Sequence, residues 1–272
     1  MHLLMTGSSG QIGSAMLKDL CRQYEITGYD IREPATLPQR VRFIQGDVRD
    51  RETLNQAMVG VDVVLHLAAI AFDVPPLHEV FSVNVQGTYN ALDLAVENGV
   101  ECFLYTSSIM AYGFGQNADP QYFPIDEEHP MLANRTYGLS KIVSERLCRS
   151  FTERCGIRTI CFQLTAAMAS EKSYADLPWH DRTGDLGAYQ YFDVRDFTSL
   201  VEAAIQATHI DHDVFLVGAA DSARAEPTAE VIRKYYPEAE LRYDRLDDRS
   251  PFVSTEKARR ALGFEPRYSW RQ

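Results

Sequence analysis

Over the first two-thirds of the chain, short apolar runs alternate with amphipathic stretches. Strand-like runs are read at 2–6, 25–29, 41–45, 62–67, 101–106 and 158–164. Between them, stretches with helical spacing of apolar positions lie at 11–22, 50–59, 77–98 and 138–155. Val63-Val64-Leu65 and Cys102-Phe103-Leu104 are apolar at consecutive positions, as suits strands covered on both faces. The alternation predicts an α/β fold, an open and doubly wound parallel sheet with helices on either side.

The pattern loosens after Thr165. Residues 166–189 include Lys172, Pro178, Trp179, His180, Arg182, Gly184 and Gly187 with no period, which predicts a loop-rich cover over the strand ends. Order returns at Asp193-Val194-Arg195-Asp196, an amphipathic helix Phe197–Ala207 and a strand at 213–217. Thr228 is placed to cap a helix reaching Tyr236, 239–243 reads as a strand, and Ser254 is placed to cap a last helix ending at Gly263. Two units are therefore expected: residues 1–165 with 190–218, which carry the sheet, and a small lobe of 166–189 with 219–272.

Composition narrows the class. With 272 residues the chain can bury a sizeable core, and its formal net charge of −11 repels nucleic-acid phosphates and anionic membranes. Neither partner is expected. No secretory leader opens the chain and no window approaches the ~20 apolar residues of a membrane span. Cys21, Cys102, Cys148, Cys155 and Cys161 are odd in number and scattered, so a reduced cytoplasmic protein is expected and a metal site is not.

Chemistry enters at Gly7-Ser8-Ser9-Gly10-Gln11-Ile12-Gly13, between the first strand and the first helix. Glycines there allow a sharp turn and close backbone approach to a pyrophosphate, which the free N–H groups of the helix N-terminus then face. The fold is thus a Rossmann-type sheet with a small C-terminal substrate lobe. Asp30 ends the second strand about twenty residues on, where a carboxylate can accept both hydroxyls of an adenosine ribose. That charge repels a 2′-phosphate and points to NAD, although Asp30 could be a turn residue before Ile31-Arg32 and Arg32 could hold a phosphate. Asp47, in Gly46-Asp47-Val48, can accept from an adenine amino group with Val48 beside the ring; it reads equally well as a turn and helix cap.

Tyr137 and Lys141 stand four residues apart, so a helix places phenol and ammonium on one face. A free tyrosine has a pKa near ~10, and an adjacent cation lowers it toward the range of a working base. Ser107-Ser108 follows the fifth strand at the carboxyl edge of the sheet, where a hydroxyl can hydrogen-bond a reacting oxygen. Alone, each of these also reads as ordinary surface or strand-end chemistry.

Together the motifs resemble the extended short-chain dehydrogenase/reductases, the NAD-dependent epimerase/dehydratase family. The resemblance rests on Gly7-x-x-Gly10-x-x-Gly13, Gly46-Asp47-Val48, His66-Leu67-Ala68-Ala69 and Asn84-Val85-Gln86-Gly87-Thr88, then on Thr106-Ser107-Ser108 with Tyr112-Gly113. Tyr137-Gly138-Leu139-Ser140-Lys141, Asp193-Val194-Arg195-Asp196 and Ala261-Leu262-Gly263-Phe264-Glu265-Pro266 complete it. It implies a catalytic set of Ser108, Tyr137 and Lys141, with Tyr137 as general base or acid and Lys141 holding its pKa while bonding the nicotinamide ribose. It implies that Leu67, Ala68 and Ala69 line the adenosine side, that Asn84 and Leu164 lie near NAD, and that Ser107, Thr165 and Arg182 face substrate. It also implies a homodimer through 77–98 and 138–155. Thr165 stands where sugar-nucleotide epimerases usually carry an asparagine, Ile109-Met110 replace a dehydratase's Asp-Glu pair, and Arg245 and Arg249 are loose counterparts of a diphosphate-binding arginine. A dehydrogenase of free sugars or sugar acids, like the uronate dehydrogenases, is therefore the leading reading. The alternatives are a sugar-nucleotide 4-epimerase and, from another class, a non-catalytic NAD-binding regulator.

Overall fold

The structure, a computed structural model, describes residues 1–169, 190–243 and 245–271. Seven parallel strands form the main sheet: β1 (His2–Thr6), β2 (Glu25–Asp30), β3 (Val41–Gln45), β4 (Val63–His66), β5 (Cys102–Ser108), β7 (Arg158–Leu164) and β10 (His212–Val217), in the spatial order β10-β7-β5-β4-β1-β2-β3. The order reverses at β1 and β4, which opens a crevice at their carboxyl ends.

Side chains alternate across the sheet into two cores, as a period of two requires. Leu3, Met5, Val63, Leu65, Ile160 and Phe162 point to one side, against α1 (Gln11–Leu20) and α6 (Val194–Gln206). Leu4, Val64, Phe103, Tyr105 and Cys161 point to the other, against α2 (Arg51–Met58), α4 (Gly87–Glu97) and α5 (Thr136–Cys155). These apolar layers explain why the strand runs show no polar alternation.

The stretch 77–98 departs from one continuous helix. It is α3 (Leu77–Phe81), a π-helical turn (Ser82–Gln86) and then α4. Gly87 N–H bonds Ser82 O, five residues back, while the Asn84 carbonyl accepts from the Thr88 hydroxyl at 2.6 Å and the Ser144 hydroxyl at 3.2 Å. Side chains thus occupy a carbonyl of the helical ladder, and the turn widens there.

A third apolar cluster joins Ile109, Tyr112, Phe123 and Ile125 to Leu216, Val231, Ile232, Phe252 and Val253. It ties the short strands β6 (Tyr122–Phe123) and β11 (Glu240–Leu241) to α7 (Thr228–Tyr235). The final helix, α8 (Glu256–Leu262), sends Ala258 into the sheet core beside Phe264. The C-terminal segment accordingly contributes to one sheet core as well as to this third cluster. Thr228 is not a cap: it lies inside α7 and its hydroxyl donates to Ser250 O at 2.6 Å. A second small pair, β8 (Ala166–Met168) with β9 (Tyr191–Asp193), flanks the sheet's last connection.

Candidate active site

The glycine turn after β1 is built for an anion. Gly7 has φ 71°, and a Cβ there would stand 2.7 Å from the Ala68 nitrogen. α1 starts at Gly10 with no side chain capping it, so its first N–H groups face the crevice without a side-chain acceptor. Asp30 is buried at the end of β2 and accepts from the N–H groups of Ser9 and Arg32, each at 3.0 Å. Its carboxylate is therefore fixed beside the turn, while Ile31 and the Arg32 side chain are exposed. An uncapped helix end next to an anchored carboxylate fits the pyrophosphate and ribose of a dinucleotide.

Asp47 is more committed than the sequence suggests. Its oxygens accept from the Arg49 backbone at 2.9 Å and from the Arg49 guanidinium, which also reaches Glu79 on α3 at 2.5 Å. These bonds hold the Asp47 carboxyl below the usual carboxylate range. The helix cap that Asp47 could have supplied comes from Asp50, which accepts from Glu52 and Thr53. Val48 is buried under Gly87, and Leu67, Ala68 and Ala69 are half-buried along the rim after β4.

Asn84 lies within the π turn. Its side chain accepts from Ile70 N–H at 2.8 Å, and its amide donates to Ile70 O at 3.1 Å and to the Ser140 hydroxyl at 3.0 Å. It links the rim loop to α5 one residue before Lys141. Thr165 is also engaged, its hydroxyl donating to Val217 O at 2.8 Å, and Leu164 beside it is buried. Arg182 falls outside the described residues.

The reactive groups meet at the end of β5. Ser107 and Ser108 are its last two residues, not loop residues after it. The Ser108 hydroxyl accepts from Met110 N–H at 3.1 Å and lies close enough to the Tyr137 phenol to favour its ionised form. Gly138 makes that approach possible, because a Cβ there would stand 2.5 Å from Met110 O. Lys141 is 3% exposed; its ammonium donates to Thr106 O at 2.8 Å and lies 5.6 Å from the Tyr137 ring centroid. Burial draws Lys141 down to about 8 and pushes Tyr137 up from its ordinary value. The phenol thus needs added positive charge to act as a base.

Two neighbours, Phe72 and Asp73, escape the sequence motifs, and a third, His66, has no role in them. Asp73 accepts from the Tyr137 N–H at 2.8 Å, and Phe72, with φ 67° and its ring 67% exposed, sits 6.0 Å from the Tyr137 ring. No local pattern marks this loop, since its contact spans 64 residues. His66 is buried between the Thr6 and Thr88 hydroxyls, 2.9 and 3.2 Å away; burial first, then the Lys141 charge, lowers it to about 3. It is a neutral core histidine.

A doubly wound parallel sheet with a glycine turn at its switch point and a serine, tyrosine and lysine at the edge of β5 defines a fold of the Rossmann type. The model of the NAD dependent epimerase/dehydratase family matches residues 3–178, and the chain belongs to that family. One similar protein is the N-acetyl-α-D-glucosaminyl-diphospho-ditrans,octacis-undecaprenol 4-epimerase of Escherichia coli O157:H7, 35% identical over 151 residues, which are 55% of this chain and 43% of that protein. The chain thus spans less than half the length of that relative. A uronate dehydrogenase of Pseudomonas syringae pv. tomato is 26% identical, covering 78% of this chain and 72% of that one. Among solved structures, a short-chain dehydrogenase/reductase superfamily protein of Agrobacterium tumefaciens with bound NAD superposes with a TM-score of 0.75 at 23% identity, over 100% of this chain and 94% of that chain, a likeness of fold.

Proposed function

We propose that the chain is an NAD-linked dehydrogenase that oxidises a hydroxyl or hemiacetal carbon of a free sugar or sugar acid and releases NADH. The observation that carries this reading is the convergence of Ser108, Tyr137 and the buried Lys141 at the carboxyl edge of the parallel sheet, the edge at which α1 starts uncapped. Gly7, Gly10, Gln11, Ile12 and Gly13 would hold the pyrophosphate, Asp30 the adenosine ribose, and Lys141 the nicotinamide ribose. Bound NAD⁺ supplies a hydride acceptor and a positive charge. Tyr137, aided by the Lys141 cation, takes the proton from the substrate hydroxyl, and Ser108 donates a hydrogen bond to the same oxygen as its charge develops.

Free sugars are favoured over sugar nucleotides because Thr165 is engaged with Val217 O, at the place where an epimerase's asparagine would seat a nucleotide. The uronate dehydrogenase of Pseudomonas syringae supports the same class. The E. coli 4-epimerase, with the higher identity over a shorter match, supports the rival in which hydride leaves and returns within one bound cofactor. A non-catalytic regulator would have no use for the complete serine, tyrosine and lysine set. The reading includes a homodimer and a reducing cytoplasmic setting. Half-exposed Phe81, Tyr89 and Leu147 support the first, and five free cysteines the second.

The test is NADH absorbance with purified protein, NAD⁺ and a panel of free uronates, aldoses and sugar nucleotides. Net NADH from a free sugar supports the dehydrogenase. Conversion of a sugar nucleotide to its epimer without net NADH moves the assignment to the rival.

A further inference from the structure

Tyr137, Lys141 and Glu145 follow one another at four-residue intervals on one face of α5. Proton transfer uses the first two and leaves the third without a task. Yet Glu145 is 5% exposed, and a buried carboxylate is costly unless it is held by donors and answers another charge.

Its donors are evident. Gln163, on β7 beside Ser107, directs its amide to both carboxylate oxygens, at 3.1 and 3.3 Å. The same glutamine's oxygen accepts from the Tyr112 hydroxyl at 2.6 Å, which fixes the orientation of the amide so that its N–H faces Glu145. The Ser107 hydroxyl lies against the carboxylate without closing a well-aligned hydrogen bond. Three elements, β5, β7 and the turn after β5, thereby hold one anion behind the catalytic helix.

The charge it answers is Lys141. That ammonium lies against Tyr137 on its own helix and Tyr105 and Thr106 on β5, and it acts electrostatically with Glu145 and Cys148 further along α5 and with His66 on β4. Glu145 itself faces Lys141 and Arg146 on α5, Tyr105 and Ser107 on β5, Cys161 on β7 and Tyr112 beyond β5. His66 is neutral, so Glu145 is the one carboxylate acting on Lys141 among the described residues.

We propose that Glu145 is a positioning residue, the buried counter-charge that keeps Lys141 an ammonium behind Tyr137, with Gln163 and Tyr112 holding the carboxylate ionised. Burial alone drives the lysine toward its neutral form, and the Glu145 charge opposes that. Burial also raises Glu145 itself, and the Ser107 and Gln163 groups restrain the rise. The consequence for turnover rests on the reading of Tyr137 and Lys141 as the catalytic pair; the effect on Lys141 does not.

The experiment is an NMR titration of isotope-labelled lysine Cε in the whole protein, with the Lys141 signal assigned by its loss in Lys141→Arg. In Glu145→Gln the Lys141 midpoint should fall by about one pH unit or more, as loss of a nearby opposite charge requires. The alkaline limb of the kcat/KM profile should move down with it. Gln163→Met keeps the carboxylate but removes its donor, and should move the midpoint in the same direction by less; it carries the test if Glu145→Gln does not fold. An unmoved midpoint in the variants that fold overturns the proposal, as does lower activity with an unmoved alkaline limb. A shifted midpoint in a protein that oxidises no sugar supports the coupling while removing the proposed function.

Discussion

The carboxylate of Asp73 accepts a 2.8 Å hydrogen bond from the backbone N–H of Tyr137, so the loop after β4 caps the helix that carries Tyr137 and Lys141, the proposed catalytic pair. Arg135, the residue at the cap position, makes no side-chain cap of its own. The substitute arrives from 64 residues away and fixes the first turn of α5 where the tyrosine sits.

Asp73→Ala should therefore act on both stability and rate. A lost cap costs about 1 kcal/mol, read as a lower urea midpoint. Looser placement of the phenol should lower kcat by roughly tenfold or more. A variant equal to wild type in both would show that α5 needs no cap from this loop.

Asp30 should separate the two cofactors. Asp30→Ala removes a buried carboxylate at the proposed ribose site, so NAD should bind weaker by roughly 1.5–3 kcal/mol, the range for hydrogen bonds to charged groups. NADP should lose less, because a repulsive charge goes at the same time. Calorimetric titration of both cofactors checks this, and equal losses would make Asp30 a turn residue only.

His66 makes the fold sensitive to mild acid. Its folded pKa, about 3, lies below the unfolded value of about 6.5, so the unfolded chain takes up a proton that the native state refuses. The stability this group contributes is full above pH ~6.5 and is lost as pH falls toward ~3, at up to about 1.4 kcal/mol per unit. Urea unfolding at neutral pH and near pH ~5 should show a fall in wild type that is reduced in His66→Asn. The same fall in both proteins would place the acid sensitivity elsewhere.

The apolar face of α3–α5 should be where two copies meet. Tyr89 is 43% exposed on this face and packs edge-on to Phe151. Tyr89→Arg should convert a dimer to monomer by light scattering without unfolding it. A wild-type protein that is monomeric at micromolar concentration would contradict the dimer.

The division between what was legible in the sequence and what was not follows the range of the forces involved. Leu3 to Met5 and Val63 to Leu65 announce buried strands because both faces of each strand meet apolar helices. The glycine turn stands out because it joins a strand directly to a helix, Asp30 because it ends the next strand, and Tyr137 and Lys141 because their spacing along one helix sets their geometry. The break in 77–98 is not, because it depends on Ser144 reaching the Asn84 carbonyl from another helix. The ion-pair network around Asp47 is hidden for a similar reason: Glu79, which completes it through Arg49, is distant in sequence. Asp73 leaves no periodic trace at all. Glu145 was within reach, one further step along the same helical face as Tyr137 and Lys141, but its meaning depends on Gln163 from β7.

In the proposed function Tyr137 is the proton-transfer group of an NAD site that it does not itself build. Turnover and NAD dissociation constant, measured side by side in wild type and Tyr137→Phe, test that directly. The predicted result is a loss of about 10²–10⁴-fold in turnover with NAD affinity little changed. Wild-type turnover in the phenylalanine variant would contradict the account.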